Sequence, residues 1–241
     1  MKTTGNRILI TGGSSGIGLA FAKAFTSIGN DIMVCARSQA DLEDAASKVS
    51  GLKTFRCDIS KEEGRRELFK WANDIVGVNM LINNAGIQRA VDLQKPISKE
   101  EIDTNLIAPI ELSSIFMPML HANAPSAIIN VGSGLSFVPM SKFPIYSATK
   151  AAMHSFSISL RHQLNKSQIK VFEVIPPIVH DTNLKGKPIE KSQNSVSAEE
   201  VALALINSLL IDEYECTIGA TKKWSKSSRD ELDKTFDFIN K

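Results

Sequence analysis

The run RILITGGSSGIG, residues 7–18, constrains this chain more than any other stretch. An apolar strand over Arg7–Thr11 passes without a spacer into glycines, and a helical pattern over 17–28 follows at once. Glycines let a backbone approach a pyrophosphate closely. The helix start behind them offers free N–H groups and the positive end of the peptide dipoles. A glycine turn set between a strand and a helix therefore reads as a dinucleotide site, although a purely structural turn has the same local appearance.

The rest of the chain continues the alternation. Strand-like runs fall at Asp31–Ala36, 53–57, 78–83, Ser126–Val131 and 170–175. Helical patterns fall at 39–49, 61–75, 98–121, 146–164 and 197–210. Two of these helices open on a serine with a glutamate three residues on, Ser98 with Glu101 and Ser197 with Glu200, the spacing of a capping box. Near-continuous apolar strands separated by helices predict an α/β fold with a parallel sheet covered on both faces. With no repeat, low-complexity tract or linker in the 241 residues, a single domain over 1–241 is expected. The polar segment 183–196, with Gly186 and Pro188, is either a mobile flap or a surface loop.

Composition narrows the function classes. Apolar residues make up 43% of the chain, enough for a large core. A net charge of +2 makes no case for nucleic acid or an acidic membrane surface, and Lys222, Lys223, Lys226 and Arg229 read as a solvated face. Cys35, Cys57 and Cys216 are odd in number and lack C-x-x-C spacing, so they read as small apolar residues in a reducing compartment. No signal peptide or membrane-length apolar stretch is seen, and a cytoplasmic location is expected. His121, His154, His162 and His180 have no metal-ligand spacing, so no metal is expected. A hydrolase triad through His154 would want a G-x-S-x-G elbow, which the chain lacks.

Three further features carry chemistry. The second strand ends in VCARS, with Ala36 where NAD-preferring folds commonly place an acid, and Arg37 next. A guanidinium pairs with a 2′-phosphate, which favours NADP(H), with NAD(H) still possible. Alternatively, Arg37 is a helix-entry charge beside a capping Ser38. In IYSATK, Tyr146 and Lys150 are four residues apart and share a helix face. Their polar ends can converge on one small molecule, or sit on an ordinary helix surface. Finally, Pro109 lies four residues after Asn105, so the Asn105 carbonyl loses its usual helical donor and the helix is pushed open. The exposed carbonyl could hold a water linking Lys150 to solvent; a tolerated kink is the other reading.

In order and spacing, TGGSSGIG at 11–18, NNAG at 83–86, Asn105, Ser133 and YSATK at 146–150 resemble the short-chain dehydrogenase/reductase family over nearly the full length. The runs NNAGIQ, FVPMSKFPIYSATKAAMHSFSISLRHQL and VFEVIPPIV are similar to a narrower group within it, the DltE-type oxidoreductases of Gram-positive bacteria. The resemblance implies a single-domain Rossmann-like fold with about seven parallel strands and a catalytic set of Asn105, Ser133, Tyr146 and Lys150. It implies cofactor contacts from Gly12, Ser14, Ser15, Gly16, Ile17 and Gly18, and from Arg37 and Ser38. Asp58 and Ile59 would lie at the adenine, with Asn84, Ala85 and Gly86, beside Asn83, lining the cofactor. Tyr146, Lys150, Pro176 and Ile178 complete the implied set. One departure is that Pro176-Pro177 stands where the family has Pro-Gly, and Thr182 sits about one residue late for its usual contact.

These residues imply reduction of a carbonyl, or oxidation of a secondary alcohol, in a small-molecule substrate. Tyr146 would exchange the proton, its pKa lowered by Lys150, and Ser133 would bond the reacting oxygen. Phe137, Met140 and Phe143 are candidates for an apolar substrate wall or for helix packing. Apolar positions Ile115, Phe156 and Leu160 on the two long helices correspond to the surface on which this family often forms homodimers or homotetramers. The alternative function is a nucleotide-binding regulatory protein with little or no turnover.

Overall fold

In the computed structural model, residues 1–75, 77–92, 94, 97–182, 184, 189–227, 231, 234, 237 and 238 are described. Gly186, Pro188 and Arg229 lie outside them. Nine strands are described: β1 (Arg7–Thr11), β2 (Asp31–Ala36), β3 (Lys53–Arg56), β4 (Met80–Asn83), β5 (Ser126–Val131), β6 (Ile169–Ile175), β7 (Ile178–Val179), β8 (Ser195–Val196) and β9 (Glu215–Thr217). The helices are α1 (Gly16–Ser27), α2 (Gln39–Lys48), α3 (Glu62–Ile75), α4 (Glu100–Ile102), α5 (Ala108–Ala122), α6 (Pro144–Gln163), α7 (Ala198–Leu210) and α8 (Thr221–Trp224).

Seven strands form one parallel sheet in the order β3-β2-β1-β4-β5-β6-β9. Strand order reverses direction between β1 and β4, the switch point at which open α/β sheets bind ligands beyond the strands' carboxyl ends. The apolar strands alternate their side chains between two cores. Ile8 and Ile10 of β1 pack with Phe21 and Phe25 of α1, Leu42 of α2, and Val201 and Leu205 of α7. Leu9 points the other way, to Leu68 of α3, Leu112 and Phe116 of α5, and Leu160 of α6. Among the described residues three helices thus cover each face, which is the doubly wound, Rossmann-like arrangement.

Three expectations need correction. The pattern over 98–121 is not one α-helix: a π-helical turn, Asp103–Ile107, separates α4 from α5. Pro109 follows the widened turn, in keeping with its missing N–H. Nor do Ser98 and Glu101 close a capping box. Ser98 Oγ accepts from Glu100 N at 3.2 Å, while the Glu101 carboxylate is buried and accepts from Arg89 N at 3.4 Å. The box at the start of α7 does form, with Ser197 Oγ accepting from Glu200 N and the Glu200 carboxylate from Ser197 N. Leu160 is a core residue rather than an outward one, and Ile115 and Phe156 are half-buried against the same core. Part of segment 183–196 is anchored, since β8 pairs in parallel with β7. No helix among the described residues is long and apolar enough to cross a membrane.

Candidate active site

The carboxyl ends of β1, β2, β4, β5 and β6 open into a cavity of about 590 Å³. Its floor is the glycine turn, with Gly12, Ser14, Ser15, Gly16 and Ile17 on the wall. Gly12 and Gly16 have φ of 64° and 52°, the left-handed region that glycine occupies at little cost. Gly18 is set behind the turn: a Cβ there would lie 2.3 Å from Gly12 O and 2.6 Å from Asn84 Nδ2. The first turn of α1 contains no acid, and among the described residues no side chain caps it. By contrast, α2 and α7 are capped by Ser38 and Ser197. The open N–H groups of α1 therefore remain available to an anion.

The NNAG segment is tied to this floor. Thr11 Oγ1 accepts from Asn84 N at 3.0 Å and Ala85 N at 3.1 Å, and Asn84 Nδ2 donates to Thr11 O and Gly12 O at 2.9 and 3.1 Å. Asn84, Ala85 and Gly86 line the cavity, as do Asp58 and Ile59 beyond β3. Asn83 is buried one layer down and donates to Asn130 Oδ1. Arg37 and Ser38 lie on the wall at the end of β2, and Ser38 does cap α2, accepting from Asp41 N. Arg37 is not free: its Nη1 is 2.6 Å from Glu100 Oε1, and Arg89 Nη2 is 2.5 Å from the other oxygen. Arg89, and then Arg37, hold the Glu100 carboxyl below the usual carboxylate range.

At the opposite end, Ser133, Tyr146 and Lys150 share one wall. Ser133 follows β5 and caps a 3₁₀ turn, Gly134–Ser136, by accepting from Leu135 N. Tyr146 and Lys150 are one turn apart in α6 and both buried, with Lys150 Nζ 5.6 Å from the Tyr146 ring centre. Lys150 Nζ donates to Val131 O at 2.7 Å, which fixes the ammonium under the end of β5. Burial pushes the Tyr146 phenol up to about 12, against a hydrogen bond with Ser133 that lowers it; the Glu101 carboxylate adds to the rise. This is opposite to the direction expected from the sequence, because desolvation outweighs the neighbouring groups. Burial also lowers Lys150 to about 8, and Glu173 opposes that shift.

Asn105 stands just behind the wall. Its Oδ1 accepts from Ile87 N at 2.9 Å, its Nδ2 donates to Ile87 O at 2.8 Å, and a Cβ on Gly86 would lie 3.4 Å from Oδ1. Its side chain thus fixes the loop after the NNAG turn.

Pro176, Pro177 and Ile178 line the cavity, and Thr182 reaches over the glycine turn, with Cγ2 3.3 Å from where a Gly16 Cβ would be. Met140 and Phe143 are on the wall as expected, whereas Phe137 packs edge-on against His154. Sequence reasoning missed Gln88, Leu184, Ile189 and Trp224, all of which line the cavity. Gly134 marks Trp224, since a Cβ there would lie 2.6 Å from the indole. Cys35 and Cys57 are neighbours on the same wall. Their hydrogen bond, with burial, pushes the Cys35 thiol well above its ordinary value. Among the described residues no His/Cys/Asp/Glu cluster could hold a metal ion.

The short chain dehydrogenase family model matches residues 6–193. The chain belongs to that family. It is 38% identical to an uncharacterized oxidoreductase, DltE, of Bacillus subtilis (strain 168), over 100% of this chain and 98% of that protein. Among solved structures, a short-chain dehydrogenase from Sphingobium yanoikuyae in complex with NADPH superposes with a TM-score of 0.80 at 25% identity, covering 97% of this chain and 94% of that one. A family member from Burkholderia phymatum in complex with NAD gives 0.81 at 19% identity, with 90% of each chain covered, and bears on the fold alone.

Proposed function

We propose that this chain is an NADP(H)-dependent oxidoreductase interconverting a carbonyl compound and a secondary alcohol, with Tyr146 as general acid–base and residues 1–241 acting as one nucleotide-binding domain. The observation that carries the reading is the convergence of Ser133, Tyr146 and Lys150 at one end of a cavity whose other end is the uncapped start of α1. The residues fit a nicotinamide dinucleotide. Gly12 and Gly16 are left-handed, α1 keeps its anion-binding donors open, and Arg37 offers a cation suited to a 2′-phosphate. The NADPH complex of the Sphingobium relative supports the same class of cofactor.

When bound, the nicotinamide supplies or accepts the hydride. The protein's part is to manage the proton and the oxygen. Ser133 and Tyr146 both line the cavity, where their hydroxyls can donate to a substrate carbonyl oxygen and stabilise its growing negative charge. With its pKa near 12, Tyr146 is protonated at neutral pH, the state required of a proton donor. Reduction uses this protonated form; oxidation first requires the phenolate, which a nearby positive charge favours. Lys150, at about 8, is mostly cationic at pH 7 and provides that charge one helical turn from the phenol. Leu135, Met140, Phe143 and Trp224 give an apolar wall that keeps water from the reacting centre.

The test is a screen of carbonyl compounds following NADPH absorbance, repeated with Tyr146→Phe. Turnover should fall by about 10²–10⁴-fold in the variant with nucleotide binding retained. Tight NADPH binding with no turnover on any compound would point to a nucleotide-binding protein instead.

A further inference from the structure

A largely buried histidine–carboxyl pair lies behind the Tyr146–Lys150 wall, and the chemistry above makes no use of it. Tyr146, Lys150 and His154 are spaced four apart along α6 and form one column on the helix. His154 Nδ1 is 2.7 Å from Glu173 Oε2. Glu173 sits within β6, fully buried, in register with Asn130 of β5 and Glu215 of β9. Its Oε1 has no hydrogen-bond partner among the described residues. That oxygen is aimed at the end of β5, 2.4 Å from where a Cβ on Gly132 would be. Gly132 lies between Val131, whose carbonyl holds the Lys150 ammonium, and Ser133. A carboxylate set inside a parallel sheet is costly unless something nearby uses its charge. Here one oxygen is paired with His154 and the other faces the end of β5.

We infer that Glu173, paired with His154, is a positioning residue whose carboxylate favours the ammonium form of Lys150 beneath Tyr146. The role in turnover rests on the oxidoreductase reading above; the electrostatic effect on Lys150 does not. The charges around the pair favour it. His154 is raised above the ordinary imidazole value, first by its bond to Glu173 and also by Glu215, against burial and Arg161. Arg161 is itself paired with Glu215 at 3.1 Å. Of the charges acting on Lys150, Glu173 raises it, and burial alone would take it lower. Glycine at 132 leaves room for the carboxylate to approach, since a side chain there would displace Oε1.

Lys150 can be titrated directly by NMR in protein carrying ¹³C,¹⁵N-lysine, with Lys150→Arg identifying the signal. In Glu173→Gln its transition should move down by about one pH unit. An unmoved transition overturns the inference. If that variant does not fold, the parent protein decides: the Lys150 signal should show a second inflection where the His154 ring titrates, and its absence is equally fatal. In turnover assays, the ratio of kcat at pH 8 to that at pH 6 should drop roughly five-fold in Glu173→Gln. A loss equal at both pH values would mean that the pair merely ties α6 to β6. Absence of turnover in the parent would count against the oxidoreductase reading, and the NMR titration separates that failure from this one.

Discussion

Replacing Glu100 with glutamine should tighten NADPH binding and leave NADH unchanged. In the proposed reading Arg37 pairs with a 2′-phosphate, and it is engaged with Glu100 at 2.6 Å. To reach a phosphate it must give up that pair. The Arg37 and Glu100 side chains are 56% and 32% exposed, so the pair contributes only about 0.2–1 kcal/mol. A charge-assisted hydrogen bond from guanidinium to phosphate is worth about 1.5–3 kcal/mol. The difference leaves roughly 1–2 kcal/mol, a five- to thirty-fold preference for NADPH in the parent protein. Glutamine at 100 removes the competing charge, which should return up to about five-fold in NADPH affinity. Arg37→Ala should abolish the preference by weakening NADPH alone. Titration calorimetry with both nucleotides at a fixed ionic strength measures all three proteins, and higher salt should narrow the differences. Equal tightening of NADH and NADPH by Glu100→Gln, or equal weakening by Arg37→Ala, would show that Arg37 does not read the 2′ position.

Gly18→Ala should cost about 1–3 kcal/mol in thermal or denaturant unfolding, because its Cβ would meet Gly12 O at 2.3 Å and rigid backbone must shift. NADPH affinity should fall with it, and a stable variant with normal binding would refute the packing argument. Lys150→Met should change how stability responds to pH. The folded lysine titrates at about 8 and the unfolded one near ~10.4, so between these values the unfolded chain binds more protons and the parent gains stability as pH rises. Methionine lacks this gain, so the Tm of the variant relative to the parent should fall between pH 7 and 9.5; parallel curves would exclude a buried, depressed lysine. Turnover runs the other way, since the parent should lose activity as Lys150 deprotonates above pH 8.

What was legible in the sequence follows from where local chemistry is sufficient. The bounds of β1, β2 and β5 match the expected runs because strands buried on both faces are dominated by apolar residues and end at the turns that follow. Gly12, Arg37, Asn84, Ser133 and Tyr146, which the sequence singles out, line one cavity because each directly follows a strand or lies in a motif, and the sheet brings such positions to one edge. Gln88, Leu184, Ile189 and Trp224 escaped because their place depends on long-range packing that no periodicity encodes. Helix 98–121 misled for a related reason: its pattern is helical, but Pro109 and the burial of Glu101 impose a π turn and spend the supposed capping glutamate elsewhere.

Glu173 is the instructive case, because its signal was present in KVFEVI. A sheet covered by helices on both faces has no solvent side to receive a charge, so an acid in the middle of an inner strand must be partnered from the layer above it. Strand β6 lies between β5 and β9 with α6 packed over it, which leaves a basic residue of α6 as the natural partner. Of the bases that α6 carries, Lys150 is committed to Val131 O, Arg161 to Val171 O and Glu215, and His162 is exposed. His154 lies between them on the helix, and it is the base that reaches Glu173. The buried carboxyl, the strand order and the column on α6 thus fit one another, and they bring a second ionisable pair to the back of the proposed active site.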